Sequence, residues 1–233
     1  MPPVIAPQSI EPVPVTVVIR ADARKITLRL DHALRQAILV LPHKRFLRQG
    51  EKLLAQRQNW LDQQWQKLPA PMPFVPDADI LLYGSPVTLR FVQGRGGAKF
   101  EAANWLIAAT QPAAFAGRVR RALIQLARKD LQEQVARHAE NLGLSVGKIT
   151  VRDTRSRWGS CSSAGNLNFS WRLVCAPQFV LSYVAAHEVA HLREAHHGPA
   201  FWAEVEKTCP DRKQAKQYLN KHAPKLFAVG ADA

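Results

Sequence analysis

The segment Val184-Ala185-Ala186-His187-Glu188-Val189-Ala190-His191 sets two histidines four residues apart, with a glutamate beside the first. On a helix, positions i and i+4 share one face about one turn apart, so both imidazoles can reach a single metal ion. An H-E-x-x-H pattern on a helix suits zinc, with the glutamate as general base. Zinc acidifies water and polarises a carbonyl, and a neighbouring carboxylate can take the proton released as water attacks. His187 and His191 are therefore candidate ligands of Zn2+, and Glu188 is the candidate general base.

A catalytic zinc takes a third protein ligand and keeps one position open. Four of the eight histidines fall between His187 and His197. His197 lies ten residues after His187, so it cannot share the face of a straight helix. The chain must turn after about Ala195, and Gly198-Pro199 suits a break there. The 1-5-11 histidine spacing is that of metzincin proteases. Their glycine at the eighth position is here Glu194, so the turn must differ. His196 is the neighbouring rival for the third ligand. Glu204 and Glu206 are later rivals, with surface charge as their plainer role.

Several elements must position these groups. Pro177 suits a first helical turn, and Val180, Val184, His187 and His191 follow at i+3 and i+4 spacing, predicting a helix over Pro177–Ala195. Helices are also predicted over Pro199–Thr208 and about Arg212–Lys221, before Pro224. Upstream, Val119, Leu123, Leu126, Leu131, Val135 and Leu142 predict one long helix over Pro112–Gly143, with Gly143 as its stop. Its basic residues, Arg118, Arg120, Arg121, Arg128 and Lys129, lie largely off the apolar stripe. Strands are expected near Lys148–Arg152 and over Asn166–Val174. The second alternates and reads as an edge strand able to pair with an extended substrate. Val15–Leu41 reads as antiparallel strands, and Arg45–Leu68 as a helix ending at Pro69. Pro69–Pro73 is an extended linker. Strands at Ile80–Tyr83 and Val87–Val92 flank a Gly84-Ser85-Pro86 turn. The Gly94-Arg95-Gly96-Gly97 turn lacks the Gly-Lys-Ser/Thr of a phosphate loop. The class is α+β: a flexible leader 1–14, a β-rich region 15–111 and a catalytic region 112–226.

Composition narrows the setting. Of 233 residues, 47% are hydrophobic and 21% charged, which is a folding chain and not a disordered one. Cys161, Cys175 and Cys209 are too few and too spread for a disulfide framework or a paired zinc knuckle, and read as buried thiols. No apolar run reaches the ~18 residues of a membrane span. The first 14 residues carry five prolines and no Lys or Arg, unlike a signal peptide. A cytoplasmic protein is expected. The 32 Lys and Arg against 18 Asp and Glu give a net charge of +14, which attracts polyanions. Nucleic acid, ribosomes and acidic proteins are candidate neighbours, and a solvated basic surface without a dedicated partner is the plain alternative.

Two stretches carry a resemblance. Arg155-Ser156-Arg157-Trp158-Gly159-Ser160-Cys161-Ser162 is similar to an R-W-G-S-C signature. His187-Glu188-Val189-Ala190-His191-Leu192-Arg193, followed by His197-Gly198-Pro199-Ala200-Phe201-Trp202, is similar to H-E-x-x-H-L-R and then N-H-S-P-x-F-W. Together they resemble the YgjP-like metallopeptidase family, related to SprT and WLM-type zinc metalloproteases. His196 and Gly198 stand where that pattern has Asn and Ser. The resemblance implies a compact zincin-like helical core with a small antiparallel sheet, zinc as metal, His197 as third ligand, and a protein or peptide substrate. Its SprT-type relatives act on proteins crosslinked to DNA.

The residues themselves leave other readings open. One is a basic nucleic-acid-associated protein whose zinc is structural, with His196 or Cys161 closing the site. Another is a hydrolase of non-peptide amides. The Arg157–Cys161 loop offers polar donors, a close-approach glycine and a rigid indole, and either lines the site or buttresses the helix. Phe201 and Trp202 read as core. Tyr183, one turn before His187, either packs or stabilises an oxyanion.

Overall fold

The computed structural model describes residues 13–31, 34–154 and 157–231, which form two compact units, Met1–Leu68 and Pro69–Ala233. The division falls inside the region expected as 15–111. The boundary expected at 111/112 lies within the second unit, because Trp105 and Ile107 share one core with Phe115 and Val119.

In the first unit, β1 (Val15–Ile19), β2 (Thr27–Asp31) and β3 (Gln36–Leu41) form a sheet of order β1-β3-β2. β2 and β3 are antiparallel, as expected, but β1 runs parallel to β3, with Val15 opposite Ala37. Alternation reports which face is buried and not which strand is the neighbour. The expected single helix is three pieces: a 3-10 turn at Lys44–Phe46, α1 (Leu47–Gln56) and α2 (Gln58–Gln66). Gly50 is the close-packing point of α1, since a Cβ there would lie 2.8 Å from Leu41 and 2.9 Å from Leu39. Of the expected leader, residues 1–12 lie outside the described residues. Val13 is buried, and the Pro14 carbonyl accepts from the Ala37 amide at 2.7 Å, so both belong to the sheet unit.

In the second unit, β4 (Asp79–Leu82), β5 (Ser85–Gln93), β6 (Ala98–Glu101) and β7 (Asn104–Ala109) form a sheet of order β4-β5-β7-β6, parallel only between β5 and β7. The long helix α3 (Phe115–Leu142) follows. Its buried Val119, Leu123, Ala127, Leu131 and Val135 recur every four residues, one apolar ridge along one face. It stops at Gly143, whose left-handed φ of 62° is the conformation glycine tolerates best. Then come β8 (Ile149–Arg152), β9 (Gly159–Cys161), β10 (Leu167–Ser170), α4 (Gln178–Ala190), α5 (Pro199–Thr208) and α6 (Arg212–Phe227).

The architecture is α+β, as expected, with local differences. The small sheet has order β8-β10-β9, antiparallel between β9 and β10 but parallel between β8 and β10, so it is mixed. β10 is its central strand, not an edge; the edges are β8 and β9. β10 also ends at Ser170, and Trp171–Cys175 is a 3-10 turn buried on every side. A run buried on all faces carries no periodicity to separate strand from helix. α6 runs through Pro224 to Phe227, with Leu226 fully buried. Among the described residues no helix is long and apolar enough to cross a membrane.

Candidate active site

α4 is apolar around most of its circumference: Val180, Leu181, Val184, Ala185, Ala186, Val189 and Ala190 are all buried. That burial fixes the rotation of the helix and hence the direction of His187. The helix ends at Ala190, earlier than the expected Ala195, and His191 is its C-terminal cap. The chain then tightens, with the Arg193 and Glu194 amides both bonded to the Ala190 carbonyl at 3.1 and 3.0 Å. Arg193 locks this turn from outside. Its guanidinium donates to the Leu142 carbonyl at the end of α3 at 2.7 Å and pairs with Glu204 on α5. Pro199 then opens α5.

The result brings His197 back over α4. Its Nε2 lies 3.0 Å from Nε2 of His187 and 3.1 Å from Nε2 of His191. One ligand atom from each of the three lies within 4.8 Å of the others, and among the described residues no fourth His, Cys, Asp or Glu joins the group. His196 stays outside it. Glu204 is occupied by Arg193 and Lys207, and Glu206 by Arg212.

The donor set fits zinc. Tetrahedral coordination at ~2.0–2.1 Å places imidazole nitrogens roughly 3.3 Å apart, close to the spacing seen. Ligation needs neutral imidazoles. Burial, then the charges of His191, His197 and Lys216, push His187 down to about 4, and burial also lowers His191. His191 Nδ1 donates to the Glu194 carbonyl at 3.0 Å, which leaves its Nε2 lone pair facing the other two rings. Among the described residues, His187 Nδ1 is buried without a hydrogen-bond partner. Ring packing orients it instead. Phe201, fully buried, lies 4.9, 4.5 and 4.7 Å from the rings of His187, His191 and His197. Phe201 is thus core, as expected, and at the same time the floor under all three imidazoles.

Glu188 points from α4 into a cavity of about 480 Å³ and is only 5% exposed. Burial raises its carboxyl to about 7 against the opposing charge of Arg157. A carboxyl in that range can exchange a proton near neutrality. One wall of the cavity is Trp158 and Gly159, and the other is Lys216 and Leu219 of α6. Gly159 approaches so closely that a Cβ would meet Glu188 Oε1 at 2.5 Å. Trp158 also stacks on Phe227 at 4.7 Å, so it lines the cavity and buttresses it. Tyr183 lines the same cavity, its ring 6.0 Å from that of His187. Cys161 stands off, its Sγ on the Ser162 carbonyl at 3.4 Å, and burial raises its thiol. Arg155 and Ser156 lie outside the described residues. The α6 wall and the Arg193 anchor were not expected as site residues. No spacing pattern ties Lys216 or Leu219 to the histidines, whereas the Leu192-Arg193 pair was present in the motif.

These features make a centre that could hold a metal ion beside a buried carboxylate. The chain belongs to the YgjP-like metallopeptidase family, whose metallopeptidase-domain model matches residues 24–222. Two solved structures are also similar. The metallopeptidase zymogen abylysin of Pyrococcus abyssi matches at 23% identity and a TM-score of 0.36, over 39% of this chain and 93% of its own. The metallopeptidase zymogen jannalysin of Methanocaldococcus jannaschii matches at 17% identity and a TM-score of 0.36, over 40% of this chain and 96% of its own. No curated protein matches the chain.

Proposed function

We propose that the chain is a zinc-dependent peptidase in which His187, His191 and His197 hold the metal and Glu188 is the general base. The observation that carries this is the approach of three imidazole Nε2 atoms to about 3 Å beside a buried, cavity-facing carboxylate. Zinc bound there supplies Lewis acidity toward water and the scissile carbonyl. Glu188 takes the proton of the attacking water and delivers it to the leaving amine. Tyr183, at the cavity wall, is the candidate donor to the developing oxyanion. β9 is an edge strand at the same cavity, so its unpaired backbone groups suit an extended peptide in β-augmentation.

The three-histidine set leaves a coordination position for water, which favours an enzyme over a closed structural site. Protein or peptide is the substrate on this reading, in preference to other amides. Three free cysteines accord with a cytoplasmic setting. The net charge of +14 adds nucleic acid contacted without sequence preference as a second partner.

Elemental analysis and peptide hydrolysis test the reading together. One zinc per chain is expected in the wild type, in His196→Ala and in Glu188→Gln, and none in His197→Ala. Glu188→Gln is expected to lose roughly 10²–10⁴-fold in activity. Zinc retained in His197→Ala would overturn the ligand set, and full activity of zinc-loaded Glu188→Gln would overturn the mechanism.

A further inference from the structure

A second concavity, of about 740 Å³, lies on the outward face of the β8-β10-β9 sheet. Val151 on β8 and Leu167 and Phe169 on β10 are buried in the core. Strand alternation therefore turns Lys148, Thr150 and Arg152 to the opposite face. The register sets Asn168 opposite Thr150 on one side and opposite Ser160 on the other, a polar row across the three strands. Thr150 Oγ1 donates to Asn168 Oδ1 at 2.9 Å, which occupies the acceptor end of that amide and leaves Nδ2 to donate outward.

Lys148, Arg152 and Arg157 border this face, all exposed, and none forms an ion pair among the described residues. The nearby carboxylate of Asp153 is taken by Arg120 and Arg172. Among the described residues no Asp or Glu lines the concavity, and no aromatic does either. The Glu188 carboxylate, from the neighbouring cavity, opposes the charge of Arg157. The face thus offers an excess of cationic and neutral donors, which selects an anion. Lys148, just before β8, and Arg152, at its end, are four residues apart, ~13 Å of extended chain, a span that reaches several successive phosphates of one nucleic-acid strand. Without an aromatic platform there is no base stacking, which leaves backbone contacts that position a duplex but do not read it.

We infer that this sheet face binds the phosphodiester backbone of nucleic acid through Lys148, Arg152 and Arg157, without sequence preference. The inference rests on the nucleic-acid part of the reading above, gives it a location, and is independent of the peptidase chemistry. The cations lie on β8 and in the segments that lead into β8 and β9, and the whole chain carries a +14 field, which favours a polyphosphate over a short acidic peptide.

The test is fluorescence anisotropy of the full chain with a labelled 20-base-pair DNA duplex in two unrelated sequences, and with the matching RNA duplex, from 50 to 200 mM salt. The double variant Lys148→Ala/Arg152→Ala is compared with Arg128→Ala/Lys129→Ala on α3, and zinc content and circular dichroism check that each is folded. The expected result is about tenfold weaker binding for the sheet variant, a salt slope reduced by about 2, and equal loss for both sequences. The α3 variant is expected to stay within about threefold. The DNA and RNA arms show which polymer supplies the phosphates. Equal losses in the two variants would overturn the location while leaving nucleic-acid contact standing. No binding by the wild type at 50 mM salt would overturn both. Tighter binding of poly-glutamate, lost in the sheet variant, would assign the face to acidic peptides instead. Hydrolysis by the zinc-loaded protein is a separate readout that none of these outcomes moves.

Discussion

Gly159 touches Glu188 through backbone alone: a Cβ at position 159 would lie 2.5 Å from Oε1 and 2.6 Å from Cγ of the glutamate. The edge strand β9 therefore fixes where the carboxylate can stand. Gly159→Ala should displace it while leaving the three histidines in place. The expected outcome is a fall of about 100-fold in kcat/KM with zinc content unchanged, since a displacement of ~1 Å is enough for that loss. Full activity in the zinc-loaded variant would show that the carboxylate accommodates the methyl group and that its position is not critical.

Phe201 should matter to the metal as well as to the core. Phe201→Leu keeps an apolar side chain but removes ring contacts with all three imidazoles. Stability is expected to fall by about 1–2 kcal/mol. Zinc affinity, measured by competition with a chelator, is expected to fall about tenfold, as for other groups that orient ligands. A lower melting temperature with unchanged zinc affinity would reduce Phe201 to packing alone.

Arg193 holds the turn between the second and third histidines. Arg193→Ala strips a partner from the Leu142 carbonyl and one from the buried Glu204 carboxylate. Chemical denaturation should register a loss of about 1–3 kcal/mol. Arg193→Lys should recover only part of it, because an ammonium lacks the fork that reaches both acceptors. If lysine restores the full stability, the two-sided anchor is not what holds the turn.

His138 predicts a pH dependence away from the metal. It is buried on α3, with Nδ1 2.6 Å from Thr208 Oγ1 on α5 and Nε2 3.0 Å from Ser182 Oγ on α4. Burial, then the charge of Arg137, lowers it to about 4. In the unfolded chain it titrates near 6.5. Between those values the unfolded chain binds a proton that the folded chain refuses. Stability from this group is therefore full above about 6.5 and declines as pH falls toward about 4, by roughly 3 kcal/mol in all. Urea midpoints from pH 7 to 4.5 should drop more steeply for the wild type than for His138→Gln. Parallel slopes would place the acid sensitivity elsewhere.

The site was more legible in the sequence than the sheets were. His187, Glu188 and His191 share one short helix, where spacing alone sets direction. His197 needed only a turn, which Gly198-Pro199 announced. The close approach at Gly159 was visible as a glycine between Trp158 and Ser160, although its partner was not. Strand partners were hidden, because alternation in Val15–Ile19 or Leu167–Ser170 says which face is buried and nothing about the neighbour. That is why the parallel β1–β3 pair and the central place of β10 came only with the structure. Pro224 looked like a helix end. Burial of Leu226 and stacking of Phe227 on Trp158 carry α6 past it, and with it the opposite wall of the cavity.

The three imidazoles are separated by at most ten residues of chain, from His187 to His197. An ion joining them closes a very short loop, and closing a short loop removes little configurational freedom from an unfolded chain compared with a long one. The same short segment can also capture the ion when unfolded, which offsets part of any mass-action gain. A metal bound there would therefore act as a local clasp on the cleft and not as a cross-link for the whole molecule. The α3–α4 packing around Leu123, Val135, Val180 and Val184 rests on burial and is expected to outlast removal of the ion.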